Sequence, residues 1–121
     1  MTGRLPPALA ADLDALALGL PGFTPPPEVA QSARHGLALR KRHGRGGTAV
    51  GLARAQALAA RQPQSPRDMR VMAGWFARFA GLRGRKGWGD DAAPSTGYIA
   101  WQLWGGDAGR AWVERHRADW G

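Results

Sequence analysis

Two short arginine-rich segments carry the side chains whose types and spacing best suit binding to a polyanion. The first, RKRHGR, covers residues 40–45, and the second, RGRKGW, covers residues 83–88. Both combine cationic side chains with glycine, and the second ends in an indole. Arginine beside an aromatic ring in a loop can bind a phosphate and stack on an unpaired base. A solvated charged surface without a partner is the alternative, and the two segments alone leave both open.

The distribution of charge along the chain is more informative than its total. The formal net charge is +8, and all but two of the seventeen basic residues are arginine. Residues 31–89 hold thirteen of these bases and one acid, Asp68, whereas acids outnumber bases slightly on either side. A basic middle segment suits nucleic acid, and we expect DNA rather than RNA as the partner. GC-rich coding also favours arginine and alanine, so composition alone does not establish this role.

The side chains expected to contact phosphate come from both segments and from a predicted helix between them. Arg67 and Arg70 are included because helical geometry places them, with Arg78, on the side opposite an apolar stripe. The expected contacts are Arg40, Lys41, Arg42, Arg45, Arg67, Arg70, Arg83, Arg85 and Lys86, with Trp88 as the candidate for stacking on a base. Such an interface predicts an affinity that falls steeply with salt.

The glycine-rich segment GRGGT, residues 44–48, resembles a phosphate cradle in front of a helix. It lacks the Gly-Lys-Ser/Thr ending of a P-loop, and no strand precedes it. We therefore do not expect a nucleotide-hydrolysing site here. A single contact to a backbone phosphate and a plain turn between helices both stay open.

Signals for catalysis or metal binding are weak. Asp90-Asp91 is the only acidic pair, and neither a base nor a nucleophile is signalled beside it or beside Ser95. The three histidines, His35, His43 and His116, lie in separate segments, and the chain has no cysteine. We accordingly expect no enzyme, no cofactor and no metal, although a triad assembled in space is beyond what spacing can test.

Residues 97–112, GYIAWQLWGGDAGRAW, hold three of the six tryptophans around a Gly-Gly-Asp corner. Gly105-Gly106 permits a sharp turn, after which Trp112 would fold back toward the preceding helix. Each indole buries on the order of 200 Å² in a core, so we interpret this corner as structural rather than as an exposed site. The predicted structural core residues are Met72, Phe76, Trp101, Trp104, Asp107 and Trp112, with Asp107 as the N-cap of the last helix.

Helices must position these residues, because no stretch shows the alternation of a strand. The sequence predicts an all-α fold, a compact bundle of five to six short helices. Thr24 is the predicted N-cap of the second helix, which is predicted to stop at Gly44. Thr48 is the predicted N-cap of the third helix, which has Val50, Ala53, Ala57 and Leu58 on one side, and Ser95 or Thr96 is the predicted N-cap of the fifth helix. A capping box is predicted at Ser65–Asp68, ahead of a stripe formed by Met69, Met72, Phe76 and Phe79. The predicted helices cover residues 8–20, 29–43, 49–62, 66–80, 98–104 and 108–120, and residues 81–97 are predicted to form a loop.

Length and hydropathy limit the organisation of the chain. The 121 residues suit a single helical domain, with residues 1–30 as an N-terminal helical extension. No run approaches the ~20 apolar residues of a membrane span, and no secretion signal is visible. We expect no membrane partner and a location in the host cytoplasm or the virion; the oligomeric state stays open.

Three motifs follow one another within residues 34–116: HGRGGTAVGLARAQAL, SPRDMRVMAGWFARF and KGWGDDAAPSTGYIAWQLWGGDAGRAW. In this order they resemble a small domain of tailed phages and prophages. The most specific part, PSxGxIAWxLWGGDxGxxW, runs here from Pro94 to Trp112. Two departures from the family occur: Phe79-Ala80-Gly81 replaces a more charged stretch, and the segment around Lys86-Gly87-Trp88 is shorter.

The resemblance implies a phage context, alone or attached to head, portal or other structural proteins, without a defined activity. Together with the charge distribution, it predicts a non-enzymatic nucleic-acid-binding module of phage or prophage origin. The alternative is a protein–protein interaction module that docks on a phage structural protein or a host protein. That alternative predicts an exposed, aromatic apolar patch of several hundred Å².

Overall fold

Six α-helices and one 3-10 helix make up most of the computed structural model, which describes residues 22–121. The all-α bundle predicted from the sequence is confirmed, and the helix predicted over residues 8–20 lies outside the described residues. No helix in this part of the chain is long and apolar enough to cross a membrane. The helices are α1 (Pro27–His43), α2 (Ala49–Ala59), α3 (Pro66–Phe79), the 3-10 helix (Ala80–Gly84), α4 (Thr96–Leu103), α5 (Gly106–Arg115) and α6 (Arg117–Trp120).

Helix α1 begins at Pro27, and the prediction that Thr24 is its N-cap is wrong. Pro26 occupies the N-cap position without a side-chain hydrogen bond. A residue that precedes proline is pushed toward extended backbone, so the helix starts only at Pro27, the last of three consecutive prolines. At its other end Gly44 adopts φ +66°, and its amide donates to the Arg40 carbonyl at 2.8 Å. The predicted stop at this glycine is confirmed.

Helix α2 has the predicted cap but a different buried side. Thr48 Oγ1 accepts a hydrogen bond from the Gly51 amide at 3.2 Å. The buried residues are Gly51, Ala55 and Leu58, whereas Val50 is 63 % exposed, so the predicted face around Val50 and Ala53 is wrong. A Cβ on Gly51 would lie 3.1 Å from Trp104 Nε1. Of the predicted side, Leu58 is buried, but the rest of the buried face is formed by the small residues Gly51 and Ala55, which the periodicity of larger apolar residues does not reveal.

Helix α3 starts with the predicted capping box. Ser65 Oγ accepts from the Asp68 amide at 3.1 Å, and Asp68 Oδ2 accepts from the Ser65 amide at 3.0 Å. Met69, Met72 and Phe76 are buried, as the stripe predicts, and Phe79 at the end of the helix is only partly buried. The Asp68 carboxylate also pairs with Arg54 at 3.1 Å, with both side chains mostly buried, which ties α3 to α2.

The core is dominated by indoles, as the sequence predicts. Trp101, Trp104 and Trp112 are each at most 5 % exposed, and the Trp101 ring meets Phe76 edge to face at 4.9 Å. Helix α1 contacts α2, α4 and α5. It approaches α4 so closely at Gly36 that a Cβ there would lie 2.5 Å from the Leu103 amide nitrogen. This glycine is required by the helix contact.

The corner after α4 turns at Gly105 (φ +112°) and Gly106 (φ +66°), and α5 begins at Gly106. The predictions that Asp107 is an N-cap and a core residue are wrong. Its side chain is 65 % exposed in the first turn of α5, because the chain reverses at the two glycines themselves. Asp107 instead accepts a hydrogen bond from Trp101 Nε1 at 2.9 Å. The helix predicted over residues 108–120 also breaks, at His116, into α5 and α6.

Candidate functional site

A cleft of about 420 Å³ opens where the turn after α1, the end of α3, the 3-10 helix and the start of α4 meet. A cavity of this size suits a small ligand. None of the described residues that line it is acidic. The lining residues are Gly47, Thr48, Trp75, Phe79, Leu82, Arg85, Ser95, Thr96, Gly97, Ala100 and Trp104.

One wall of the cleft is aromatic. The Trp75 and Trp104 rings stack with centroids 4.9 Å apart and planes 9° apart, and Phe79 lies 5.0 Å from Trp75. The Arg54 guanidinium lies over the Trp104 ring at 5.5 Å, and the Arg78 guanidinium lies over Phe79 at 5.3 Å. The rings are thus held by one another and by cations, and they present a fixed apolar surface.

The lining also includes residues at two helix N-termini. Thr48 caps α2, and Ser95 Oγ caps α4 by accepting from the Tyr98 amide at 3.1 Å. The first amides of a helix have no intrahelical acceptor, and the helix dipole makes this end attractive to anions. Arg85, an exposed cation, completes the lining. Donors and positive charge without an acid suit a negatively charged group.

The Trp104 indole adds a further donor. Within residues 22–121, the enclosed side-chain polar atoms that lack a partner are Arg40 Nε and Arg54 Nε. Trp104 Nε1 is not among them and donates to no atom of the described chain, although the residue is only 5 % exposed. Trp104 is also one of the residues that line the cleft.

Residues 85–95 hold the start of α4 in place. The Gly87 carbonyl accepts from the Ser95 amide at 3.1 Å and from the Asp90 amide at 3.3 Å. Gly87 has φ +90°, and a Cβ on it would lie 2.7 Å from the Ser95 amide nitrogen, so only glycine fits. Asp90 Oδ1 accepts from the Ala92 and Ala93 amides. The segment predicted as an irregular loop is thus closed by its own hydrogen bonds.

Two histidines fasten this segment to α1, contrary to the expectation that the histidines share no site. His35 Nε2 lies 2.9 Å from Asp91 Oδ2, and His43 Nε2 lies 3.0 Å from the Asp91 carbonyl oxygen. Gln102 Nε2 lies 2.7 Å from His35 Nδ1. If Gln102 donates to Nδ1, the imidazole donates from Nε2 to the carboxylate, which satisfies both ring nitrogens. Sequence spacing cannot reveal this cluster, because α1 and the segment meet only in the fold.

Tyr98 borders the same cluster. Its hydroxyl lies 3.4 Å from Asp91 Oδ1, and its ring meets the His35 ring at 6.0 Å, edge to face. Burial raises the pKa of the Tyr98 phenol above its ordinary value, and the negative charge of Asp91 and the hydrogen bond to it raise it further. The cluster of Asp91, His35 and Tyr98 contains no Ser, Thr or Cys nucleophile, and its contacts hold the segment against α1.

The two predicted arginine-rich segments both contact the entrance of α4. Arg45 Nη2 donates to the Pro94 carbonyl at 2.6 Å, and the Gly87 carbonyl accepts from the Ser95 amide at 3.1 Å. Arg85 lines the cleft, whereas Lys41 and Arg42 are exposed at the end of α1. The two segments, which are far apart in sequence, therefore come together through Arg45 and Gly87.

Four of the other predicted phosphate contacts have different surroundings. Arg70 Nη1 donates to the Trp120 carbonyl at 2.9 Å, and Arg83 pairs with Asp107 at 3.1 Å. Arg40 is partly buried, with Nε enclosed. Arg67 is exposed at the start of α3. The cleft is lined by Phe79 at the other end of this helix, and the helical rise separates the two residues by ~20 Å. The phosphate contacts predicted from the sequence therefore do not form one continuous surface.

Trp88 is partly buried, and its interpretation as a free stacking side chain does not fit. Its ring meets the Tyr98 and Trp101 rings edge to face, both at 5.4 Å. The cleft is instead lined by Thr48, Ser95 and Trp75 among others, and these three residues were absent from the predicted interface. The capping motifs at Thr48 and Ser95 were readable from the sequence, but their convergence on one cleft was not.

No family model matches the chain, and neither the curated proteins nor the solved structures compared with it gave a match. The described residues contain no group of three His, Cys, Asp or Glu side chains placed to hold a metal ion. The interpretation of the cleft therefore rests on its own geometry.

Proposed function

We propose that this protein is a non-enzymatic nucleic-acid-binding module of phage or prophage origin, with DNA as its partner. One observation carries the proposal: the basic segments 40–45 and 83–88 lie beside the same acid-free cleft, through Arg45 at the entrance of α4 and Arg85 in the lining. Phosphates of a nucleic acid require such a concentration of donors and cations. The phage origin is supported by the motif resemblance over residues 34–116.

The phosphate contacts are assigned to exposed bases of the two arginine-rich segments. Lys41, Arg42, Arg85 and Lys86 make no ion pair within residues 22–121 and are exposed. Arg45 positions the segment through Pro94, so its loss would act on structure as well as on binding. Each neutralised phosphate releases condensed counterions, so every lost contact lowers the salt dependence of binding.

The alternative, docking on a phage structural or host protein, has less support from the exposed surface. The exposed large hydrophobic side chains of the described residues are Val50, 63 % exposed, and Val71, 43 % exposed. They lie on different helices, and neither is aromatic. The docking alternative predicts an exposed aromatic patch of several hundred Å², whereas the aromatic rings of the cleft, Trp75 and Phe79, are partly buried.

Fluorescence anisotropy with labelled single- and double-stranded DNA over a salt series tests the proposal. The parent protein should bind at low salt, and the slope of log K against log salt should fall by about one for each phosphate contact removed. The test variants are Lys41→Gln, Arg42→Gln and Lys86→Gln, alone and combined.

Arg115→Gln is the matched control, because it removes one exposed positive charge outside the cleft. Arg115 precedes His116, whose ring contacts Phe23 beside the start of α3, the end opposite Phe79. The Arg115→Gln variant should leave the slope of log K against log salt unchanged. Absence of any complex at low salt with both forms of DNA, or an equal loss in the control, would refute the proposal.

A further inference from the structure

We infer that the cleft binds the terminal nucleotide of a DNA strand through its phosphate monoester. This inference rests on the proposed function and names the ligand of the site within it. The cleft volume of about 420 Å³ suits one small ligand rather than a duplex. An end group therefore fits the site better than a continuous helix does.

The charge of the cleft selects an anion. The lining includes Thr48 at the N-terminus of α2, Ser95, Thr96 and Gly97 at the N-terminus of α4, and Arg85, and no described lining residue is acidic. Asp68, which lies close to Arg54 behind the aromatic wall, is already neutralised by that arginine at 3.1 Å. Nothing in the lining therefore offsets the attraction for a negative group.

The number of donors distinguishes a terminal phosphate from an internal one. A monoester carries a charge of about −1.5 to −2 near neutral pH and three strong acceptor oxygens, whereas an internal diester has one charge and two free oxygens. Two helix N-termini and one guanidinium can together supply donors for three oxygens. The monoester uses this set more completely.

The apolar wall accounts for the remainder of the ligand. Trp75, Phe79 and Leu82 lie beside the donors in the same lining. The Trp75–Trp104 stack is fixed at 4.9 Å and 9°, so the wall does not have to rearrange to receive a sugar and base. Preorganisation of this kind lowers the entropy cost of binding. A ligand with an anionic end and a flat apolar body, as in a nucleotide, matches both sides of the cleft.

The test compares labelled single-stranded DNA of one sequence with a 5′-phosphate, a 3′-phosphate or hydroxyls at both ends. At equal salt, a phosphorylated end should bind about tenfold more tightly than the hydroxyl form, which corresponds to one charge-assisted contact set. A deoxynucleoside monophosphate should compete with the labelled strand, and the unphosphorylated nucleoside should not.

Two variants connect this preference to the cleft. Arg85→Gln should abolish the advantage of the phosphorylated strand while Arg115→Gln keeps it. Trp104→Phe retains an aromatic ring in the wall but removes the indole N–H, and should reduce the advantage of the phosphorylated strand over the hydroxyl form. Thermal unfolding of each variant shows whether the fold is retained at the assay temperature.

The outcomes separate this inference from the proposed function. DNA binding that is identical for all three strands refutes the cleft assignment and leaves the proposed function standing. Binding of the free monophosphate without binding of any oligonucleotide refutes both. A preference for phosphorylated strands that survives Arg85→Gln places the phosphate elsewhere and also refutes the cleft assignment.

Discussion

Trp101 lies in α4 and Trp104 directly follows this helix, yet their indole N–H groups differ in their partners. Trp101 Nε1 donates to Asp107 at 2.9 Å, so its hydrogen bond is made within the fold. Trp104 is nearly as buried, but its Nε1–H has no acceptor within residues 22–121, and the residue lines the cleft. The difference indicates that Trp101 serves stability, whereas the N-terminal end of α4 and Trp104 border the site where a ligand would bind.

Glycine is required in both regions for the same two reasons. At the corner, Gly105 has φ +112°, and a Cβ on it would lie 3.1 Å from both Gly109 Cα and a Val29 methyl. Beside the cleft, Gly46 has φ +96° and Gly47 φ +78°, and a Cβ on them would lie 2.6 Å from an Ile99 methyl and 2.5 Å from a Leu103 methyl. In both regions glycine therefore permits a left-handed backbone and a close approach at once.

The largest effect is expected for Trp101→Ala. Trp101 is 1 % exposed and contacts Phe76, Trp75 and Trp88, so its removal leaves a cavity that the surrounding rings cannot fill. We expect the free energy of unfolding to fall by about 3–5 kcal/mol in chemical denaturation. Trp88→Ala, at a partly buried position, should cost clearly less; equal losses would contradict the distinction between the core indole and the peripheral one.

A smaller loss is expected for Asp107→Ala. The substitution leaves Trp101 Nε1 without its acceptor and removes the Arg83 ion pair, which is largely exposed and adds little. We expect the unfolding free energy to fall by about 1–3 kcal/mol, mainly from the unpaired indole N–H. Asp107→Asn retains an acceptor and should recover much of the loss. If Asp107→Ala and the parent unfold at the same denaturant concentration, the hydrogen bond does not support the corner.

The sequence predicted features that depend on neighbours along the chain. The Thr48 and Ser95 caps, the capping box at Ser65–Asp68 and the stop at Gly44 are local, because each involves side chains and amides a few residues apart. The burial of Trp101 followed from hydrophobicity and helical spacing. These predictions required no knowledge of how the helices pack, and the structure confirms them.

The predictions that failed depend on contacts between distant segments. Val50 is exposed because α2 turns Gly51 toward Trp104, and Asp107 is not a cap because the two preceding glycines reverse the chain. Likewise, nothing in the spacing of His35 and Asp91 shows that they meet. The candidate cleft is assembled from four such segments, so its donors were recognisable one by one and their convergence was not.

The smallest and most specific effect is expected in the titration of Tyr98, the only tyrosine in the chain. Burial raises the pKa of its phenol above 10.0, and Asp91 contributes a further increase. Because the folded state then holds this proton more tightly than the unfolded state, the stability contribution is complete below pH 10.0 and is lost as the pH rises through the folded-state pKa.

The near-ultraviolet absorbance of tyrosinate reports this group alone, and it tests how residues 85–95 are fastened to α1. Asp91→Asn should move the pKa of Tyr98 down toward 10.0 but not below it, since burial of the ring remains. Asp90→Asn is the control, because Asp90 bonds to the Ala92 and Ala93 amides and makes no contact with Tyr98. An equal shift in both variants would mean that the segment as a whole, rather than the Asp91 carboxylate, sets the environment of Tyr98. The polar cluster would then have to be reassigned as a consequence of the segment's fold instead of its fastening to α1.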